Sequence, residues 1–230
     1  MHDAASIRPL GGLGPRHGAA SSSEAGGVPW IEYERLSLAA RVRADARRHG
    51  GVLNAVSTLG FWAIFTYRVA HALRARGLDL PARGLQLLSQ IYFRCDISRK
   101  ALIGPGARVF HASGIFIGPH VRIGRDCTLG PEIFIGANTP MKWDDPRDYP
   151  VIGDGVDLAP GAKIIGRLSI GAGTRVGPNA VVMRTVPPNS IVAAAPCRVI
   201  SADLWRASAT VEDRSAAAAD AHGAPETPIP

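Results

Sequence analysis

Residues 151–186 read VIGDGVDLAPGAKIIGRLSIGAGTRVGPNAVVMRTV. Aliphatic residues fall every six positions, at Ile152, Leu158, Ile164, Ile170, Val176 and Val182. Four places beyond each stands a small or apolar residue: Val156, Ala162, Leu168, Thr174, Ala180 and Val186. Gly153, Ala159, Gly171 and Gly177 directly follow their aliphatic partners. A period of six is neither the 3.6 of a helix nor the 2 of a sandwich strand. It fits a parallel β-helix whose triangular coil has one hexapeptide per side. The aliphatic residue then fills the interior. The next residue sits at a tight corner, where a side chain would crowd the neighbouring coil. The glycines of GAGTRVG (Gly171–Gly177) are explained by this repeat and need no dinucleotide-binding motif.

The same pattern extends towards the N-terminus. Ile117, Ile123, Leu129 and Ile135 are each followed by glycine, at Gly118, Gly124, Gly130 and Gly136. Ile103, Val109 and Ile115 form a shorter run, two residues out of phase with the next. A longer interruption lies between Gly136 and Val151. Upstream, Trp30 to His49 is arginine-rich and amphipathic, and Val52 to Arg76 sets Phe61, Ile64, Phe65, Val69 and Leu73 on one helix face. A break ending at Pro81 precedes a further helix through Gln86–Ile91. The expected organisation is a disordered tail at 1–29, a helical region at 30–94, a β-helix at 95–205 and a disordered tail at 206–230.

Composition narrows the class without naming it. The 230 residues include 26 Gly and 18 Pro, yet 46% are hydrophobic, which excludes collagen and a wholly disordered chain. Cys95, Cys127 and Cys197 are too few and too scattered for a disulfide scaffold or a CxxC zinc site. The net charge is +7, concentrated in residues 30–108. That region reads as a solvated helical surface or a field attracting an anionic ligand. No basic run is interleaved with aromatics, so nucleic acid is not an expected partner. The N-terminus lacks a signal-peptide apolar core, and Gly50–Tyr67, though free of charge, reads as a buried helix rather than an integral membrane span. The expected location is the cytoplasm.

Hexapeptide repeats of this kind resemble the left-handed β-helix acyltransferases. Within that group, residues 45–200 resemble the serine acetyltransferase family. The segments that carry the likeness are FWAIFTYRVAHAL (61–73), CDISRKALIGPG (95–106), FHASGIFIG (110–118), VIGDGVDLAPGAKIIG (151–166) and VPPNSIVAAAPCRVI (186–200). The resemblance implies a mainly β fold: a left-handed parallel β-helix after a short α-helical segment, assembled as a homotrimer, with pairing of trimers left open. It implies acetyl transfer from acetyl-CoA to a hydroxyl, without a metal. The family's catalytic histidine corresponds to His111 in His111-Ala112-Ser113-Gly114, and its partner aspartate to Asp96 in Asp96-Ile97, fifteen residues earlier. Fifteen is slightly under one eighteen-residue coil, so the two side chains are expected to meet on adjacent layers.

The chemistry explains these residue types. A hydroxyl is a poor nucleophile at neutral pH, and a neutral imidazole can take its proton during attack on the thioester, worth roughly 10²–10⁴ in rate. A carboxylate on the other ring nitrogen fixes the tautomer. No covalent intermediate is required, and Cys127 and Cys197 read as packing residues. For the donor, the resemblance points to Gly136 and Ala137 before the interruption, to Pro160 and Pro178 at later corners, and to Arg198 near a CoA phosphate.

The chain departs from the family in two places. Phe110 stands where an aspartate precedes the catalytic histidine. Asp148-Tyr149-Pro150 stands where an Arg-His-Pro segment binds the amino acid's carboxylate. A cation has become an anion, with Arg147 beside it as a partial substitute. These residues, with Asp45, are expected to line the acceptor side and to favour a sugar or specialised metabolite over serine, with authentic serine O-acetyltransferase of cysteine biosynthesis as the alternative. Three further readings stay open: a carrier-protein thioester as donor, a non-catalytic trimeric assembly module, and a carbonic-anhydrase-type zinc enzyme, for which only His111 and His120 lie in the β-helix.

Overall fold

The computed structural model describes residues 30–138 and 145–195. Both expected tails, the β-helix limit at 205, Cys197 and Arg198 lie outside the described residues. Five helices come first: α1 (Trp30–Arg35), α2 (Leu38–Arg48), α3 (Val52–Val56), α4 (Leu59–Ala75) and α5 (Asp79–Phe93). The two long helical patterns of the sequence are each broken once. Ser37 starts α2 by accepting the Ala40 N–H at 3.2 Å. Ser57 and Thr58 interrupt the second pattern, their hydroxyls donating back to the carbonyls of Asn54 and Ala55. Pro81 does not end a break as expected. It lies in the first turn of α5, where its missing N–H costs nothing, and the chain turns earlier, at Gly77 with φ 80°.

Three parallel sheets then wind into a prism. The first face holds β1 (Cys95–Ile97), β4 (Ile115–Ile117), β7 (Phe134–Gly136), β10 (Lys163–Ile165) and β13 (Val181–Val182). The second holds β2 (Leu102–Ile103), β5 (Arg122–Ile123), β8 (Val151–Ile152) and β11 (Ser169–Ile170). The third holds β3 (Arg108–Val109), β6 (Thr128–Leu129), β9 (Asp157–Leu158), β12 (Arg175–Val176) and β14 (Ile191–Val192). This solenoid preceded by helices fits the left-handed β-helix expected from the hexapeptide phase. The repeat aliphatics from Ile97 to Val182 point inward and are at most 4% exposed. Each such burial is worth about 1.5–3 kcal/mol.

The glycine after an aliphatic is set by a close approach. A Cβ on Gly104 would lie 2.6 Å from the Gly124 carbonyl group one coil above. Successive registers on the first face give the coil lengths. Ile97 pairs with Ile117, 20 residues on, and Ile117 with Ile135, 18 on. Ile135 pairs with Ile164, 29 on, and Ile164 with Val182, 18 on. Two coils are therefore regular, one carries two extra residues and one carries eleven. Ile115 accordingly occupies the slot two before the repeat aliphatic, pairing with Cys95, and the out-of-phase short run is explained by the two added residues.

The helices close the lower end of the prism. Tyr67 donates its hydroxyl to the Ala101 carbonyl at 2.7 Å and accepts the Ile103 N–H at 3.2 Å. Burial pushes its pKa up to about 12, so the phenol stays neutral. Arg68 donates to the carbonyls of Ile103 and Gly104 and forms a two-point ion pair with Asp45, at 2.9 and 3.1 Å. Asp45 also accepts the Ala107 N–H at 2.9 Å. Arg68 and Asp45 are 0% and 1% exposed. Gly60 of α4 touches the coil directly: a Cβ there would sit 2.0 Å from the Val109 carbonyl oxygen. Burial raises the thiol of Cys95 to about 11 and that of Cys127 to about 12, which suits packing residues rather than nucleophiles. No described helix is long and apolar enough to cross a membrane.

Candidate active site

Four corners stack along the edge where the third face turns into the first. Each follows an interior aliphatic: Val109, Leu129, Leu158 and Val176. Two positions beyond them stand His111, Pro131, Pro160 and Pro178. In the upper three corners the left-handed residue comes one place later, at Glu132 (φ 59°), Gly161 (φ 73°) and Asn179 (φ 56°). At the lowest corner it is His111 itself, with φ 54°, followed by a second left-handed residue at Gly114 with φ 63°. The two extra residues of the long coil fall here. A non-glycine residue in this region costs on the order of 1 kcal/mol. In return His111 leaves the wall and is exposed, its ring resting edge-on against Phe110 at 4.3 Å.

A cavity of about 310 Å³ opens beside this corner. One wall is His49 and residues 57–60, where the helical pattern breaks; the other is residues 108–111. The Gly60–Val109 contact brings the walls together. Arg108 lays its guanidinium over the Phe110 ring, 5.4 Å from the centroid. His49 ends α2, with Nδ1 2.8 Å from the Asp45 carbonyl oxygen and its ring edge-on to Phe61. A carbonyl only accepts, so Nδ1 is the donor in this contact. The ring's Nε2 is buried and has no hydrogen-bond partner among the described residues.

The remaining expected residues do not gather at this cavity. Asp96 is on β1, and its carboxylate accepts from the Gln86 side chain at 2.9 Å. Within the chain no hydrogen bond or ion pair joins it to His111. The coil between them is 20 residues long rather than 18. Asp45 is not an acceptor-lining group: it is buried and committed to Arg68 and Ala107. Gly136, Ala137, Asp148 and Tyr149 flank the other edge, where the first face turns into the second. Tyr149 is 5% exposed and packs against Gly118 and the His120 ring. Arg147 forms a 2.7 Å ion pair with Asp145, whose carboxyl it holds down to about 2. Pro160 and Pro178 share the His111 edge, but the Pro160 carbonyl already accepts the Asn179 N–H at 2.9 Å. His111 and His120 lie on different edges of one prism.

Two residues of the cavity, His49 and Arg108, were not singled out from the sequence. Arg108 had a signal: alternation with inward Val109 sends it outward one step before Phe110-His111. His49 had none, because its place depends on how α2 docks.

A solenoid of hexapeptide coils with a histidine lifted from one corner beside a cavity is the architecture of a hexapeptide-repeat acyltransferase. No family profile matches the chain. It is 35% identical over 141 residues to a serine acetyltransferase of Mycobacterium tuberculosis, covering 61% of this chain and 60% of that protein. It is 33% identical over 144 residues to a serine acetyltransferase of Helicobacter pylori, covering 63% of this chain and 82% of that protein. A solved serine acetyltransferase in complex with CoA matches with a TM-score of 0.63 and 27% identity, over 73% of this chain and 71% of that one. The chain belongs to the serine acetyltransferase family. It spans 60% of the length of the Mycobacterium tuberculosis relative.

Proposed function

We propose that the protein is an acetyl-CoA-dependent serine O-acetyltransferase. The observation that carries this reading is the match over 82% of the Helicobacter pylori serine acetyltransferase. Serine now stands ahead of the sugar or specialised metabolite expected from the sequence. The relatives that match the chain are serine acetyltransferases, and this outweighs the charge change at Asp148.

In the reaction, the His111 imidazole removes the proton of the serine hydroxyl as its oxygen attacks the thioester carbonyl. The tetrahedral intermediate collapses with cleavage of the C–S bond. The CoA sulfur leaves and takes the proton back from the imidazolium, giving O-acetylserine and free thiol. Asp96 is the carboxylate proposed to orient the His111 ring, and the Gln86 side chain holds one of its oxygens at 2.9 Å.

The donor residues support a site between chains. Pro160 and Pro178 mark one edge and Gly136 and Ala137 the next, so one prism alone does not gather them. In a trimer of side-by-side prisms the His111 edge of one chain faces the Gly136–Tyr149 edge of its neighbour. Thiol release from acetyl-CoA, measured with serine against sugars and other alcohols, tests the whole reading. Turnover with serine supports it, and turnover confined to another alcohol sinks it.

A further inference from the structure

The cavity beside His111 holds two polar groups that the reaction above does not use. Arg108 is half-buried, stacked on Phe110, and has no carboxylate partner among the described residues. The Nε2 of His49 is buried and has no partner among the described residues, while Nδ1 lies 2.8 Å from the Asp45 carbonyl oxygen. A lone buried polar atom is costly unless a ligand satisfies it. The other arginine on offer, Arg147, is already paired with Asp145.

We propose that Arg108 and His49 are the acceptor-recognition pair of this enzyme: Arg108 binds the carboxylate of a small hydroxy amino acid, and His49 Nε2 accepts a hydrogen bond from its ammonium. The inference rests on the serine acetyltransferase reading. Three groups of the cavity then answer the three groups of the acceptor, with His111 left for the hydroxyl. The planar guanidinium suits a carboxylate in two-point contact, and its stacking on Phe110 holds the plane. Phe110 thereby gains a task, as the platform for the cation. The cation absent after the 137–150 loop is supplied from the corner strand, one step before the histidine. A cavity of this size admits a small amino acid with the thioester end of the donor.

The experiment compares the wild type with Arg108→Met and His49→Phe, both chosen to keep side-chain bulk. Calorimetric binding of L-serine, and steady-state kinetics with L-serine, serinamide and 3-hydroxypropanoate, are read together. Arg108→Met should raise the KM for serine about 10- to 100-fold, the range of a lost charge-assisted hydrogen bond, and leave the KM for acetyl-CoA unchanged. It should also erase the preference for serine over serinamide, which lacks the carboxylate. His49→Phe should weaken serine while leaving 3-hydroxypropanoate, which lacks the ammonium, unaffected. Equal serine binding by wild type and Arg108→Met, with the preference over serinamide intact, overturns the pair while the acetyltransferase reading stands. A wild type that neither binds nor acetylates serine overturns both.

Discussion

The lowest corner of the His111 edge and the three corners above it occupy one slot of one repeat, yet it is the lowest that borders the cavity. Above it, Gly130, Ala159 and Gly177 follow the interior aliphatic, proline comes next, and the left-handed residue closes the turn on schedule. Below, Phe110 replaces the small residue, His111 takes the left-handed conformation early, and Ala112-Ser113 lengthen the loop. The corner is also the place where α4 presses Gly60 onto the coil. A repeat protein can thus make a site by lengthening a single turn and backing it with a helix, while the neighbouring turns keep the prism rigid.

The strongest way to break this comparison is to make the low corner like the others. Deleting Ala112 and Ser113 leaves Val-Phe-His-Gly-Ile-Phe before Ile117, a regular hexapeptide with glycine in the left-handed slot. The variant should keep its circular dichroism and lose turnover as fully as His111→Ala, about 10²–10⁴-fold. Retained activity would show that the lengthened turn is dispensable. Next comes the helical backing. Arg68→Met strands the Asp45 charge in the interior and should cost about 3–5 kcal/mol in denaturant unfolding. Gly60→Ala forces α4 off Val109 and should cost about 1–3 kcal/mol, with a fall in turnover because the cavity walls part. A Gly60→Ala variant with unchanged stability and rate would separate helix docking from the site. Tyr67→Phe, which removes the clamp on Ala101 and Ile103, should cost about 1–3 kcal/mol.

The smallest effect belongs to the opposite edge. Arg147→Ala should leave the KM for serine unchanged, in contrast to Arg108→Met. The Asp145 carboxyl, held down to about 2, should return towards the usual value of about 4 in a pH titration followed by NMR. The sign is that of a depressed carboxylate: its pairing contributes above the ordinary carboxylate pKa and fades as pH falls towards 2.

The repeat was legible because its physics is local. An aliphatic every six residues is an interior column, and the glycine behind it answers a clash visible in Gly104 and Gly124. The two-residue offset near Ile115 was legible too, and it marked the corner that holds His111. The fifteen residues from Asp96 to His111 lie in a coil of 20 rather than 18. Asp45 and Arg68 read as separate charged residues because only helix docking brings them together. His49 and Arg108, 59 positions apart, share a cavity for the same reason. The acceptor departures at 148–149 were visible as letters, but their edge of the prism was not.

The downward-facing carbonyls of Ala101, Ile103 and Gly104 and the N–H groups of Ile103 and Ala107 are all occupied by side chains of Tyr67, Arg68 and Asp45. A parallel solenoid is otherwise a template, since its last coil offers the next chain the same backbone ladder that joins its own coils. With one terminus plugged by a buried ion pair and a phenol, head-to-tail stacking of prisms cannot propagate. The helical segment that frames the cavity is therefore also a chain terminator, keeping a fold built from self-similar layers from growing into a fibre.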